Sequence, residues 1–159
     1  MTIKLTQKKG LSINTQTGEV ILGDDVITVV PDEKVKTQTP KFEIVNPGEY
    51  EVADIAVTAY NPMPAAIIEA EQITVVYMPS PPETLEESSA SEFERVDVLI
   101  IPGKRSDLVG QLAPYIVIPL NDEEYLAEKL GAGLSESQKS LTLKSRTDLP
   151  EETEIVFFS

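Results

Sequence analysis

The chain of 159 residues and 17.4 kDa has 41% hydrophobic and 25% charged residues and a net charge of −14 at pH 7, which is typical of one globular domain with a core of its own. It has no Cys and no His, so disulfides, thiolate nucleophiles, Cys/His zinc sites and imidazole acid–base chemistry are excluded. The acidic charge disfavours nucleic acid and membrane surfaces, and no apolar run approaches the ~20 residues of a membrane helix. We therefore expect no nucleic acid partner and no membrane partner.

Charge is distributed unevenly along the chain. Residues 1–41 carry six Lys against five acids, whereas residues 42–159 carry seven basic residues against 22 acids. The first ten residues contain no acid, so we interpret residues 1–10 as a basic N-terminal arm. It is either a tail without a role or an arm that docks on an acidic partner, where apolar residues add a strand to a neighbouring sheet. The candidate partner-binding residues are Ile3, Lys4, Leu5, Lys8 and Lys9.

The chain that follows the arm shows period-two alternation with turn residues at short intervals, which predicts strands. The first three predicted strands cover residues 11–15, 19–22 and 26–30. Thr17-Gly18 and Gly23-Asp24-Asp25 supply the turns between them, since Gly tolerates positive φ. A further short strand is predicted over 41–46.

Residues 53–60 form the most regular alternating run of the sequence. Ala53, Ile55, Val57 and Ala59 fall on one face of the predicted strand. Asn-Pro-Gly at 46–48 and Asn-Pro-Met-Pro at 61–64 flank the run, and proline cannot donate to a strand ladder. The prolines therefore limit the length of the strand, and another strand is predicted from about residue 71 to residue 78.

Residues 79–94 are rich in Pro, Ser and Glu, a composition too polar to bury, and this predicts an exposed acidic loop. Two short apolar segments follow, RVDVLIIPG and PYIVIPL, which we interpret as buried strands. Between them, residues 103–107 are predicted to be a plain exposed loop, because one Gly without a following helix does not make a phosphate-binding loop.

NDEEYLAEKLGAG is the one segment that predicts a helix, over residues 121–130. Asn121 can cap it, Glu124 stands at the capping-box position and Gly131 can end it. Leu141 and Leu143 then alternate with polar residues, and a last strand ends on Phe157-Phe158. That strand is either covered on both faces or offers one ring to a partner.

About nine short strands with one short helix predict an all-β fold, an antiparallel β-sandwich, as a single domain over residues 11–159. VNPGEYEVADIAVTAYNP and LTLKSRTDLPEETEIVFFS resemble strand pairs of immunoglobulin-like and adhesin-like sandwiches. The resemblance implies an immunoglobulin-like or related topology, but a true antibody-type domain is not implied because the Cys and Trp of its core are missing.

Small size, an acidic body, a basic arm and a β-rich chain without Cys or His also resemble accessory virion proteins of tailed bacteriophages, such as capsid decoration or cement proteins. The resemblance implies a non-enzymatic structural protein of the virion, made in the host cytoplasm. Its partners would be the major capsid protein or another virion protein, and its own copies in a homo-oligomer. The alternatives are a phage tail, neck or fibre component, a carbohydrate- or cell-surface-binding module, and third a small hydrolase.

Candidate chemical sites are weak throughout the sequence. Five acidic pairs, such as Asp24-Asp25 and Glu123-Glu124, offer oxygen ligands for calcium, but adjacent strand residues point opposite ways and no D-x-D-x-D spacing occurs. A glycosidase would lack a Trp to stack on sugar, and no Ser stands in a Ser-x-x-Lys or Gly-x-Ser-x-Gly context. We therefore predict no catalytic residue, no cofactor and no metal ligand, and leave calcium at the acidic turns open.

Overall fold

A computed structural model describes residues 1–35, 40–61, 64–87, 91–133 and 136–159. Two β-sheets pack face to face. Alternating side chains of the strands fill the space between the sheets, which is the layered arrangement of a sandwich. One outer face also carries two helices and the loops beside them.

The first sheet is antiparallel throughout. Short turns join its successive strands, so neighbours in sequence are mostly neighbours in space. In spatial order it contains β12 (Ser140–Thr142), β1 (Thr2–Thr6), β2 (Gly10–Asn14), β3 (Gly18–Leu22), β4 (Ile27–Pro31) and β5 (Phe42–Ile44).

The second sheet has seven strands and two different halves. In spatial order it contains β13 (Glu154–Ile155), β11 (Ile116–Pro119), β10 (Val98–Ile101), β9 (Ile73–Tyr77), β8 (Ala65–Ala70), β7 (Ile55–Tyr60) and β6 (Gly48–Val52). From β6 to β9 the pairs are antiparallel. From β9 through β10 and β11 to β13 they are parallel.

The main core lies between the two sheets. Alternate residues of β7, namely Ile55, Val57 and Ala59, point into it, while Thr58 and Tyr60 lie on the outer face. Ile3 and Ile13 of the first sheet are fully buried opposite them. Burial of such side chains contributes about 1.5 to 3 kcal/mol each relative to exposure, so this core dominates the stability of the fold.

A second core covers the outer face of the parallel half. It forms beneath the helices α1 (Ser106–Leu112) and α2 (Glu123–Lys129). Leu99 and Val117 of the sheet pack there with Leu108 and Leu126 of the two helices. Because both faces of β10 and β11 are covered, all four residues of each strand are buried, as expected of parallel strands.

The predicted β-sandwich is confirmed, since two sheets of short strands make up the fold. The strands predicted over 11–15, 19–22 and 26–30 correspond to β2, β3 and β4. The parallel pairing of β9, β10, β11 and β13 was not anticipated, nor was the helix α1, which begins inside the predicted 103–107 loop. The strand predicted over 53–60 begins only at Ile55, because Ala53 and Asp54 form the turn between β6 and β7. Gly110 interrupts the apolar pattern of α1, but Leu108, Val109 and Leu112 are buried against the sheet.

The N-terminal segment is not an arm. Thr2–Thr6 is a strand within the first sheet, paired with β12 on one side and β2 on the other. The amino group of Met1 donates to the carbonyl oxygen of Leu143 (3.0 Å) and pairs with Glu71 (2.7 Å). Ile3 is fully buried, so period-two alternation outweighed the charge of the neighbouring lysines in fixing the position of this segment.

Two apolar side chains of the segment 79–94 pack against the body, which corrects the prediction of a wholly exposed loop. Leu85 is buried and Phe93 is half-buried against the second core. The Gln111 amide donates to the carbonyl oxygen of Leu85 (2.6 Å). Residues 88–90 of this segment lie outside the described part of the chain. The average composition of the segment is polar, so it did not reveal that these two apolar side chains would pack against the body.

The predicted helix near residues 121–130 is present as α2, but its start differs. The N-cap is Asp122, with a positive φ of 48° and no side-chain capping bond. The Asn121 side chain instead accepts from the backbone N–H of Gly103 (3.2 Å), and a Cβ at Gly103 would collide with the backbone oxygens of 121 and 122. Asn121 therefore joins two strand-end loops. No helix in the described ranges is long and apolar enough to cross a membrane.

Candidate functional site

The carboxyl ends of the parallel strands meet at one edge of the second sheet. β9, β10 and β11 run in the same direction, and β7 shares that direction because β8 pairs antiparallel with both β7 and β9. Tyr60 and Tyr77, the last residues of β7 and β9, therefore lie at this edge. Ligands of parallel sheets bind outside the carboxyl ends of the strands, so this edge is the first place to look for a site.

Two adjoining cavities lie against the outer face of this sheet. The smaller has a volume of about 140 Å³ and the larger about 540 Å³. Tyr60, Glu92 and Phe93 line both of them. We call the two cavities together the Tyr60–Phe93 cleft.

The smaller cavity is mainly apolar. Met78, Leu85, Pro81 and Pro82 line it where the chain leaves β9. The Tyr60 and Phe93 rings stand 5.7 Å apart, centroid to centroid, with their planes tilted by 53°, a favourable aromatic geometry. The aromatic pair thus forms the boundary between the apolar end of the cleft and its polar end.

The larger cavity is acidic. Its floor is the uncovered outer face of β6, β7 and β8, and residues 91–95 form its wall. Glu49 and Glu69 project from the floor, and Glu92 and Glu94 from the wall. Among the residues that the structure describes, Arg95 is the one basic residue that lines this cavity. No residue in the described ranges forms an ion pair with any of the four glutamates, whereas Arg95 is paired with Asp97 (3.5 Å).

The acidity of the cleft acts on Tyr60. Burial raises the pKa of the Tyr60 hydroxyl, and the negative charges of Glu92, Glu49 and Glu69 raise it further. A neighbouring negative charge disfavours a second one. The neutral hydroxyl of Tyr60 is therefore kept to higher pH, and the same potential would attract a cation.

Sequence reasoning did not find this cleft. The signal in the sequence was the alternation of acids with one aromatic ring in Ser-Glu-Phe-Glu-Arg, residues 91–95, which was interpreted as part of an exposed loop. Tyr60 comes from a distant strand, so only the folded chain brings it to Phe93.

The residues predicted to bind a partner lie elsewhere. Lys9 pairs with Glu19 of the neighbouring strand (2.9 Å), and Leu5 is 49% exposed beside Leu11 and Phe158 in a small groove. Ile3 is inside the core, while Lys4 and Lys8 stand on or beside β1. Nothing tests whether any exposed member of this set contacts a partner, so that role stays a prediction.

The residue types present do not fit a metal centre built on His or Cys ligands. The chain has no His and no Cys, and in the described ranges no three His, Cys, Asp or Glu residues come together as a metal-binding group. The undescribed positions, 36–39, 62–63, 88–90 and 134–135, contain none of these four residue types. The acidic pairs singled out in the sequence form no such group within the described ranges, and calcium binding at these turns stays an open question.

The chain matches no family model and no curated protein sequence. Among solved structures it is similar to one from Thermotoga maritima described as a "putative Zn-dependent hydrolase of the metallo-beta-lactamase superfamily". The TM-score is 0.72 at 14% identity, and the match covers 99% of this chain and 98% of the other. At this identity the likeness shows a shared fold.

The likeness corrects the prediction of a non-enzymatic protein, because a chain with the same fold over nearly its whole length is described as a hydrolase. A zinc ion implied by that description does not fit this chain, which lacks the usual nitrogen and sulfur ligands. The predicted role in a phage particle, its virion partners and its location in the virion stay predictions that no comparison tests.

Proposed function

We propose that the protein binds a small organic cation that carries an apolar group, in the Tyr60–Phe93 cleft. The observation that carries this proposal is the adjacency of an apolar cavity and an acidic one across a shared aromatic pair. The cationic group would lie among the four glutamates and the apolar group beneath Pro81 and Pro82. We assign no reaction step to the cleft.

The charge of the cleft favours a cation over other ligands. Four glutamates without ion-pair partners among the described residues surround the larger cavity, and its one Arg is occupied by Asp97. A cation placed against Tyr60 or Phe93 also gains from the ring quadrupole, by about 0.5 to 2 kcal/mol depending on desolvation. An anion would meet repulsion from the same groups.

The size of the cleft favours a small molecule. The two cavities together fall within the range of roughly 300 to 1,000 Å³ that is usual for small-molecule sites. The smaller cavity, about 140 Å³, has room for one ring or a short alkyl chain. The ligand would thus be an arylalkyl or alkyl amine rather than an inorganic ion.

Binding can be tested by titrating the full chain with phenethylammonium and following backbone amide shifts by NMR. We expect saturable shifts at residues 58–60, 67–69 and 92–95. Phenethyl alcohol and phenylacetate, which keep the ring but lose or reverse the charge, should bind more weakly. Of the three ligands, only phenethylammonium should bind more weakly at raised salt, because salt screens its attraction to the exposed glutamates.

Matched variants test the contribution of the acidic residues of the cleft. Glu69→Gln combined with Glu92→Gln should weaken phenethylammonium binding about tenfold if the two charges contribute about 1.4 kcal/mol together. Glu151→Gln, at an exposed turn far from the cleft residues in sequence, should leave it unchanged. Equal affinity for the amine and the alcohol, or no saturable shift with any probe, would show that the proposal is wrong.

A further inference from the structure

Arg105 makes an unusual set of bonds at the strand edge described above. Its guanidinium donates to three successive backbone carbonyl oxygens, of Pro81 (3.3 Å), Pro82 (2.7 Å) and Glu83 (3.3 Å). The same group holds the Asp107 carboxylate through two bonds of 3.0 Å. All three of its nitrogens are thereby used.

The bonds of Arg105 join parts of the chain that are distant in sequence. Pro81, Pro82 and Glu83 follow β9, whereas Asp107 stands in the first turn of α1. The Arg105 side chain is 19% exposed, whereas that of its partner Asp107 is 55% exposed, so the guanidinium is shielded but solvent competes for the bonds to Asp107. A rigid guanidinium plane with five N–H donors suits such a multiple contact better than a lysine does.

The Thermotoga maritima protein with this fold is described as Zn-dependent, but this chain has no His or Cys to hold such a centre. We infer that this chain keeps the fold without zinc, and that the Arg105 guanidinium is the fixed cation that holds the loop after β9 against α1. The three carbonyl oxygens of this loop accept hydrogen bonds from the Arg105 guanidinium. Holding this loop against α1 therefore requires no bound metal.

Arg105 is also a positioning residue for the cleft, a point that rests on the proposed function. Pro81 and Pro82, whose carbonyl oxygens it holds, line the smaller cavity. Loss of the guanidinium would release this wall while leaving the glutamates of the larger cavity in place. We therefore expect the contacts of a ligand's apolar group to weaken more than the attraction between its cationic group and the glutamates.

Metal independence is tested on the purified full chain. We expect elemental analysis to find no stoichiometric zinc after gel filtration, and the Tm to be the same in EDTA, in buffer and with added zinc sulfate. Zinc retained at one ion per chain, or a Tm that falls in EDTA, would overturn the inference. This result does not depend on whether phenethylammonium binds.

The role of Arg105 is tested with Arg105→Gln, and Lys104→Gln is the matched control because it removes the same charge from the adjacent exposed position. We expect Arg105→Gln to lower the Tm by about 3 to 6 °C and Lys104→Gln to leave it unchanged. Faster amide hydrogen exchange should appear at residues 83–87. Equal Tm values for the two variants would contradict the assignment.

A second readout distinguishes the specific contact from general destabilisation. The hydrogen bonds from Arg105 hold the pKa of the Asp107 carboxyl below its usual value, against a smaller opposing effect of burial. A ¹³C carboxyl titration should show that this pKa rises in Arg105→Gln and stays low in Lys104→Gln. An unchanged pKa in Arg105→Gln would mean that the guanidinium does not hold this carboxylate in solution.

Discussion

The two halves of the second sheet differ in what covers their outer faces. In the parallel half, α1, α2 and Leu85 of the segment 79–94 cover β10 and β11. Every residue of both strands is buried. In the antiparallel half, β7 alternates between buried and half-buried residues, and its outer face is the floor of the Tyr60–Phe93 cleft. The covered half thus contributes a second core, and the uncovered half leaves room for a ligand.

The two halves are also held differently at their edges. Asp97, fully buried just before β10, accepts from the backbone N–H of Thr74 (2.8 Å) and pairs with Arg146 (2.9 Å) from a 3₁₀ turn after β12. The parallel half is thereby tied to the chain that leaves the first sheet. The four glutamates of the cleft have no comparable ties among the described residues, which leaves their charges available.

The largest expected effect compares one apolar side chain from each half. Leu99→Ala, at a fully buried position of the second core, should lower the free energy of unfolding by about 3 to 4 kcal/mol, since it leaves a cavity. Ile67→Ala, at a half-buried position on the cleft floor, should cost less than about 1.5 kcal/mol. Urea denaturation measures both, and equal losses would remove the distinction between the halves.

A smaller effect is expected from the buried ion pair. Arg146→Gln leaves the buried Asp97 carboxylate with the longer ion pair to Arg95 and the hydrogen bond from the Thr74 backbone N–H, and should cost about 3 kcal/mol. Lys41→Gln breaks the exposed pair with Glu43 and should cost between about 0 and 1 kcal/mol. If thermal denaturation shows the same loss for both variants, Asp97 is not the tie that the geometry indicates.

Tyr77 of β9, the strand shared by both halves, should make the stability of the fold depend on pH. Burial, with a further effect of Asp24, raises the pKa of Tyr77 to about 12 from 10.0. The unfolded chain therefore loses this proton first, and the contribution present below pH 10 is lost as the pH rises toward 12. The loss is at most about 2.7 kcal/mol.

Tyr77→Phe checks this pH dependence. It also removes the hydrogen bond to the Gly23 carbonyl oxygen, so the comparison is of slopes and not of absolute stabilities. Between pH 10 and 12 the variant should lose less stability than the natural chain. Parallel stability curves for the two chains would count against the shift.

The smallest expected effect concerns the hairpin between β6 and β7, at the open end of the uncovered half. Ala53 and Asp54 both have positive φ, 53° and 58°, in a two-residue turn between paired Val52 and Ile55. Asn-Gly fits such a turn better. The double substitution Ala53→Asn with Asp54→Gly should raise the free energy of unfolding by about 1 kcal/mol, as measured by denaturant titration. Ligand binding in the cleft should not change. A loss of stability would refute the turn assignment.

Local pattern in the sequence was enough to predict most strands, the sandwich and the helix α2. Alternation in 53–60, of which residues 55–60 form β7, and the continuous apolar runs of β10 and β11 are local signals, because burial of one face or two faces repeats along each strand. The sheet order could not be read in this way. The place of β1 between β12 and β2, and the parallel pairing of β9 with β10, depend on which distant strands bury each other's faces.

The site depended even more on the tertiary structure. The sequence alone determined that the chain has no histidine or cysteine and hence no ordinary zinc ligands. It did not determine that Tyr60 meets Phe93, or that Arg105 holds three carbonyl oxygens from another loop. These contacts join residues that are far apart in the sequence, and no local pattern links such residues. Only the packing of the folded sheets and loops brings them together.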